Sequence, residues 1–218
     1  MARIARVVIP DFPHHVVQRG VRRMDVFFSD DDREEYLSLL AEQGDRFGVH
    51  YLAWCLMPNH VHLIAVPKTE SSLALGIGEA HRKYTRYINF REGWRGYLFQ
   101  GRFHSCPLDG GHLLAAIRYV LRNPVRAGMT DQSWDYRWSS ARWLVGLTGS
   151  DKLSVHSSLL DDIVDWRSFL AVHEDSRSDI RRHTRTGRPL GDEQFIDRLE
   201  SLTGRTLRPR KRGPKAPN

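Results

Sequence analysis

The chain has 218 residues, of which 40% are hydrophobic and 27% charged, with a formal net charge of +7. That composition fits one sizeable folded domain with at most a small appendage. No apolar run approaches the roughly 20 residues a membrane helix needs, and Met1–Pro13 lacks the apolar centre of a signal peptide, so a cytoplasmic protein without membrane partners is expected.

The first expected element is a strand over residues 14–20 (HHVVQRG), ending at a Gly20 turn. Ser29 and the acidic run Asp30–Asp32 predict the start of a helix, because hydroxyl and carboxylate side chains satisfy its first N–H groups and suit its positive end. Tyr36, Leu37, Leu39, Leu40 and Phe47 give that helix an apolar face, and Gly48 ends it. Val49–Met57 and Val61–Val66 read as neighbouring strands joined by a Pro58-Asn59 turn. A second helix is expected from Ser71 or Ser72 to about Arg91, a further strand over 98–104, and a third helix over 110–123 closed by Pro124. The order predicts an α+β domain with a mainly antiparallel sheet. It is expected to occupy residues 1–148, followed by a small helical extension over 149–204, with helices near 157–170 and 191–202. A basic tail over 205–218 is expected to be disordered.

Charge is concentrated in blocks. Residues 80–126 carry nine Lys/Arg against two Asp/Glu, and residues 181–218 carry eleven against four; the intervening sequence is mildly acidic. Such blocks suit a polyanion, since each neutralised phosphate releases counterions. Cys55 and Cys106 form no CxxC pair and are expected to be plain buried thiols.

Three constellations carry chemistry. In Asn59-His60-Val61-His62, residues two apart on a strand share a face, so His60 and His62 present two imidazoles side by side, half of a divalent-metal site. Two exposed histidines without a metal would read the same way. In residues 118–125 (RYVLRNPV), Tyr119 and Asn123 are four apart and share a helix face, offering a hydroxyl and a hard carbonyl oxygen. Packing of Tyr119 on the sheet, with Asn123 as a helix cap, is the competing reading. From 82 to 102, Arg82, Lys83, Arg86 and Arg102 alternate with Tyr84 and other aromatics, a pattern suited to phosphates and unpaired bases; core packing of about half the aromatics is equally expected.

Together these residues resemble the single-tyrosine HUH transposases, and within them the REP-associated tyrosine transposases. The matching strings are PHHVVQRG (13–20), LMPNHVHLI (56–64), HRKYTRYIN (81–89), FQGRFHSCPL (99–108), IRYVLRNPVRAGM (117–129) and YRWSS (136–140). The resemblance implies a ferredoxin/RRM-like sandwich with helices on one face. It implies Tyr119 as nucleophile, His60, His62 and Asn123 as ligands of Mg²⁺ or Mn²⁺, and single-stranded hairpin DNA, such as repetitive extragenic palindromes, as partner. The implied reaction is nicking and strand transfer through a 5′-phosphotyrosine. Arg118, Arg122, Arg208, Arg210, Lys211 and Arg212 join the expected DNA contacts. Insertion-sequence members swap helices in dimers, whereas the extension here resembles the domesticated branch, so monomer and homodimer both stay open. A domesticated hairpin-binding protein that does not cut is the alternative; a nuclease using water, with His104 or His112 as base, is a third reading.

Overall fold

A computed structural model describes residues 5–172 and 177–209 of the chain. Its sheet is built by β1 (His14–Arg19), β2 (Val49–Met57), β3 (His60–Pro67) and β4 (His104–Pro107), in the order β2-β3-β1-β4 with every pair antiparallel. With α1 (Asp30–Phe47) between β1 and β2, and α2 (Ser72–Glu92) between β3 and β4, the chain follows the βαββαβ path of ferredoxin-like sandwiches. The last strand lies later than the expected 98–104. Residues 98–103 are mostly loop, joined to β1 by a single bridge between Phe99 and Gly20, and pairing with β1 begins at His104.

Local chemistry sets the helix ends. Ser29 accepts from Asp32 N while Asp32 accepts from Ser29 N, a reciprocal capping box at the start of α1. The same carboxylate pairs with Arg91 at the end of α2. Gly48 closes α1 at φ 66°, a conformation that costs glycine no side-chain clash.

Strand register fixes which residues share a face. His62 lies opposite Val17 and Cys55, and His60 opposite Arg19 and Met57; Val17 in turn lies opposite His104, and His15 opposite Cys106. Directly opposed residues point the same way, so these side chains form one face. Val49 and Tyr51 pair with Pro67 and Ala65, on the other face. There α1 and α2 approach so closely that a Cβ on Gly44 would lie 2.9 Å from the Tyr51 ring, and one on Gly76 2.9 Å from Val49. The expected helix layer therefore exists, and the histidine face is covered too, by α3 (Gly110–Leu121) and by α4 (Asn123–Arg126), α5 (Ala141–Leu144), α6 (Trp166–Ala171) and α7 (Arg177–Thr186) around it. Pro124 does close α3, but it also sits in the first turn of α4, where its missing N–H is no loss.

The chain after α4 is tied to the sheet. Trp138, Ser140 and Val155 exchange backbone bonds with Leu56, Trp54 and Tyr51 along the outer edge of β2, and Leu190 bonds Pro107 and Asp109 beside β4. Both open edges are thus covered. Leu153, Leu160, Leu170, Ile180 and Leu190 join the main core. A smaller cluster gathers Val7, Ile9 and Leu207 with Phe195 and Leu199 of α8 (Glu193–Thr203). Residues 205–209 of the expected disordered tail are therefore packed: Leu207 is buried, and Arg205 donates to the carbonyls of Ala5 and Arg6. Residues 210–218, with Arg210, Lys211 and Arg212, lie outside the described residues. Among the described residues no helix is long and apolar enough to cross a membrane.

Candidate active site

The two β3 histidines are held by different partners. Asn59 donates through Nδ2 to Arg23 O, so the Oδ1 that lies 2.7 Å from His60 Nδ1 must accept. The His60 proton therefore sits on Nδ1, leaving Nε2 bare. His62 Nδ1 lies 2.9 Å from Nε2 of His15 on the adjacent strand. The two β3 rings are 5.0 Å apart, nearly perpendicular. Burial, followed by the charges of Arg19 and Arg181, lowers the His60 pKa to about 4. Burial also drives His62 well below its usual value, with the neighbouring His60, His15, Arg126 and Arg19 adding to the effect. Both imidazoles are neutral at pH 7, as metal ligation requires.

Helix α3 crosses this face. Asp109 caps it by accepting from His112 N. One apolar stripe, including Leu113, Ala116, Ile117 and Val120, is buried on the sheet, and the turn beside it carries Tyr119. That ring stands edge-on to His62, with centroids 5.6 Å apart, and to His15, at 5.7 Å. Asn123 Nδ2 donates to the carbonyls of Tyr119 and Val120, both at 3.1 Å. Carbonyls only accept, so this end of the carboxamide is the NH₂ group; capping α3 leaves Oδ1 for another task. The capping and site readings of Asn123 are compatible.

His60, His62, Tyr119 and Asn123 line a single cleft of about 740 Å³. His15, Arg19, Arg126 and Arg181 line it as well, and none of them stood out in the sequence. Alternation in HHVVQRG was the available signal for His15 and Arg19, which fall on one strand face. Among the described residues no group of three or more His, Cys, Asp or Glu could hold a metal ion. The donor set here is instead two neutral imidazoles and a carboxamide oxygen, which fits a divalent ion with further positions open to substrate. His104 also lines the cleft, whereas His112 is held by Asp109 at 2.7 Å.

The expected nucleic-acid contacts separate into three groups. Arg82, Arg86 and Arg102 line a groove of about 1010 Å³ beside α2, together with Phe90, Trp94 and Tyr97. Phe90 and Tyr97 are 91% and 87% exposed. Lys83 borders Arg82 and Arg86 and pairs with Glu42. Tyr84 belongs elsewhere: it is fully buried and donates its hydroxyl to Val26 O, so it cannot stack on a base. Arg118 and Arg122 are also turned inward. Arg118 bonds Phe169 O and lies over that ring, while Arg122 is buried and donates to the carbonyls of Leu170, Ala171 and Val172. Arg208 is paired with Glu193, Asp197 and Glu200. These three arginines hold the C-terminal segments in place: carbonyls at the end of α6 satisfy Arg118 and Arg122, and carboxylates along α8 satisfy Arg208.

A solved structure of a REP-associated tyrosine transposase bound to a REP hairpin is 16% identical and matches with a TM-score of 0.54 over 72% of this chain and 93% of that chain. A structure from Deinococcus radiodurans, assigned as a transposase, is 18% identical over 56% of this chain and 96% of that one, with a TM-score of 0.39. No curated protein matches significantly. The model of the family described as "Transposase IS200 like" matches residues 9–123, more than half of the chain, from the start of the sheet through the histidine pair and the tyrosine to the final asparagine. The chain belongs to the IS200-like transposase family.

Proposed function

We propose that the protein nicks and rejoins single-stranded DNA at hairpins, with Tyr119 as nucleophile and with Mg²⁺ or Mn²⁺ held by His60, His62 and Asn123. One observation carries this reading: the Tyr119 ring stands against His62 in the cleft that His60 and Asn123 also line. A divalent ion held there would polarise the scissile phosphate as a Lewis acid. The Tyr119 oxygen attacks phosphorus, a P–O(Tyr) bond forms, and the bond to the departing 3′ oxygen breaks. The phenol proton is lost and the departing oxygen gains one, giving a 5′-phosphotyrosine and a free 3′-OH. Reversal by a 3′-OH joins strands without a nucleotide cofactor, because one phosphodiester is exchanged for another. Arg19, Arg126 and Arg181 surround the cleft with positive charge suited to the phosphate backbone. The REP hairpin bound by the structural relative supports hairpin DNA as the substrate class.

The test is formation of a covalent protein–DNA adduct with hairpin-flanked single-stranded DNA in Mg²⁺ or Mn²⁺. The parent chain forms it and Tyr119→Phe does not. An adduct with Tyr119→Phe would displace the nucleophile. Hairpin binding without any cleavage would favour a non-catalytic binder, and cleaved DNA free of protein would favour hydrolysis by water.

A further inference from the structure

We propose that His15 and Thr184 are positioning residues that fix the tautomer of His62, so that its Nε2 lone pair faces the cleft as a metal ligand. The proposal rests on the metal reading above and deepens it, since Thr184 lies beyond the residues that match the family model.

The hydrogen bonds form a chain with a direction. Thr184 Oγ1 lies 2.8 Å from Ile180 O, a pure acceptor, and donates to it. Its one proton is then spent, so the same oxygen accepts from its two other neighbours, His15 Nδ1 at 2.7 Å and Cys106 Sγ at 3.4 Å. Neutral His15 thus carries its proton on Nδ1, and its bare Nε2 accepts from His62 Nδ1 at 2.9 Å. The two imidazole planes are within 2° of parallel with centroids 5.2 Å apart. With that nitrogen separation, the rings meet edge to edge and do not stack, which suits an N–H···N bond. His62 is left with Nε2 unprotonated. Every member of the chain is buried: His15 is 1% exposed, His62 4% and Thr184 4%. No water is needed to complete it.

The opposite direction would place a proton on His62 Nε2. An N–H would then point into a cleft where Arg19 and Arg126 already act on that ring, and the nitrogen could not bind a metal. The observed arrangement sets a lone pair toward those cations. Hydrogen bonds from the second ring nitrogen commonly orient metal-bound histidines in this way, and their loss costs about 10- to 100-fold in metal affinity. His60 obtains the same service locally from Asn59. His62 obtains it through β1 and a helix of the C-terminal extension. That helix, α7, packs on β4 and β1 and also brings Arg181 and Arg185 to the cleft.

The test uses the full chain and two readouts other than cleavage. Long-range ¹H–¹⁵N correlation spectra of the metal-free protein report the tautomer of His62, assigned by its loss in His62→Gln. The Nδ1–H form is expected in the parent chain. Titration of Mn²⁺, followed by the electron paramagnetic resonance signal of the free ion, gives affinity. Thr184→Val, nearly equal in shape, is expected to raise the Mn²⁺ dissociation constant about 10- to 100-fold and to shift His62 away from the Nδ1–H form. Thr184→Ser restores both. An Nε2–H His62 in the parent chain overturns the proposal, and that measurement needs no variant to fold. So does a folded Thr184→Val with unchanged tautomer and affinity. A parent chain that binds no Mn²⁺ overturns the metal reading, and the positioning role with it. Failure of the relay alone shows as normal Mn²⁺ binding that does not respond at position 184.

Discussion

The guanidinium of Arg126 lies 4.4 Å from the centre of the Tyr119 ring, and its Nη2 donates to the Tyr119 carbonyl at 2.6 Å. One cation thus touches both the side chain and the backbone of the proposed nucleophile. It braces the ring against His62 and keeps a positive charge beside it. A cation over an aromatic face contributes about 0.5–2 kcal/mol, and because only the part that grows in the transition state speeds the reaction, roughly 2- to 30-fold in rate is the ceiling on its effect. Arg126→Ala is expected to slow adduct formation about tenfold at saturating DNA, with Arg126→Lys in between. Initial rates on denaturing gels measure this. An unchanged rate would mean that the ring holds its place without the arginine.

Arg122 gives the opposite kind of prediction. Its three carbonyl partners end α6, and each bond is charge-assisted. Arg122→Ala leaves the buried Leu170 carbonyl and the partly buried carbonyls of Ala171 and Val172 without their donor, at a cost of about 2–3 kcal/mol. Urea unfolding should show that loss, while the slope of DNA affinity against salt stays that of the parent. A stable variant with a slope smaller by about 0.7 would make Arg122 a phosphate contact instead.

The contrast between these arginines shows what the sequence could convey. Alternation placed His60 and His62 on one face, helical spacing placed Asn123 one turn from Tyr119, and capping residues marked both ends of α1; all of these are short-range patterns. Whether an arginine faces solvent or a carbonyl depends on segments 50 residues away, so Arg118 and Arg122 could not be distinguished from the exposed Arg86. The helix that brings Thr184 to His15 was invisible for another reason. Residues 177–186 (RSDIRRHTRT) contain a single aliphatic residue, Ile180, and show no apolar stripe. Only the tertiary structure shows that Ile180, Thr184 and Thr186 are buried while the arginines between them are not.

The groove beside α2 makes the nucleic-acid reading testable away from the cleft. Phe90 and Tyr97 are almost fully exposed among Arg82, Arg86 and Arg102, an arrangement suited to stacking unpaired bases between phosphate contacts. Stacking on an aromatic contributes about 1–3 kcal/mol per base. Tyr97→Ala is expected to weaken binding of single-stranded DNA about 5- to 150-fold at fixed salt, a range that follows from those energies. Arg86→Ala is expected to lower the salt slope by about 0.7. Fluorescence anisotropy with a labelled strand separates the two effects. If both variants bind like the parent, the DNA runs elsewhere on the protein.

Acid should destabilise this fold well above the range where carboxylates titrate. Burial lowers His14 to about 4 and His81 to about 3, although the Phe12 carbonyl partly opposes the shift at His14. Both titrate near 6.5 in the unfolded chain. Between those values the unfolded state binds more protons than the native one, so stability rises with pH and is lost as pH falls below about 6.5. Each such histidine adds a slope of about 1.4 kcal/mol per pH unit. Asp32 acts in a lower window. Its burial raises the carboxyl pKa, but the bonds from Arg91, Phe28 N and Ser29 N outweigh burial and leave it lowered, so its contribution is lost only as pH falls below about 4. Unfolding free energies from urea melts between pH 8 and 4 should therefore be level above 7 and fall steeply below 6.5. His81→Gln, which keeps a partner for the Tyr36 hydroxyl now 2.8 Å from His81 Nε2, should remove about one proton from that slope. A flat profile between pH 6.5 and 4 would mean that these imidazoles keep their protons in the folded protein.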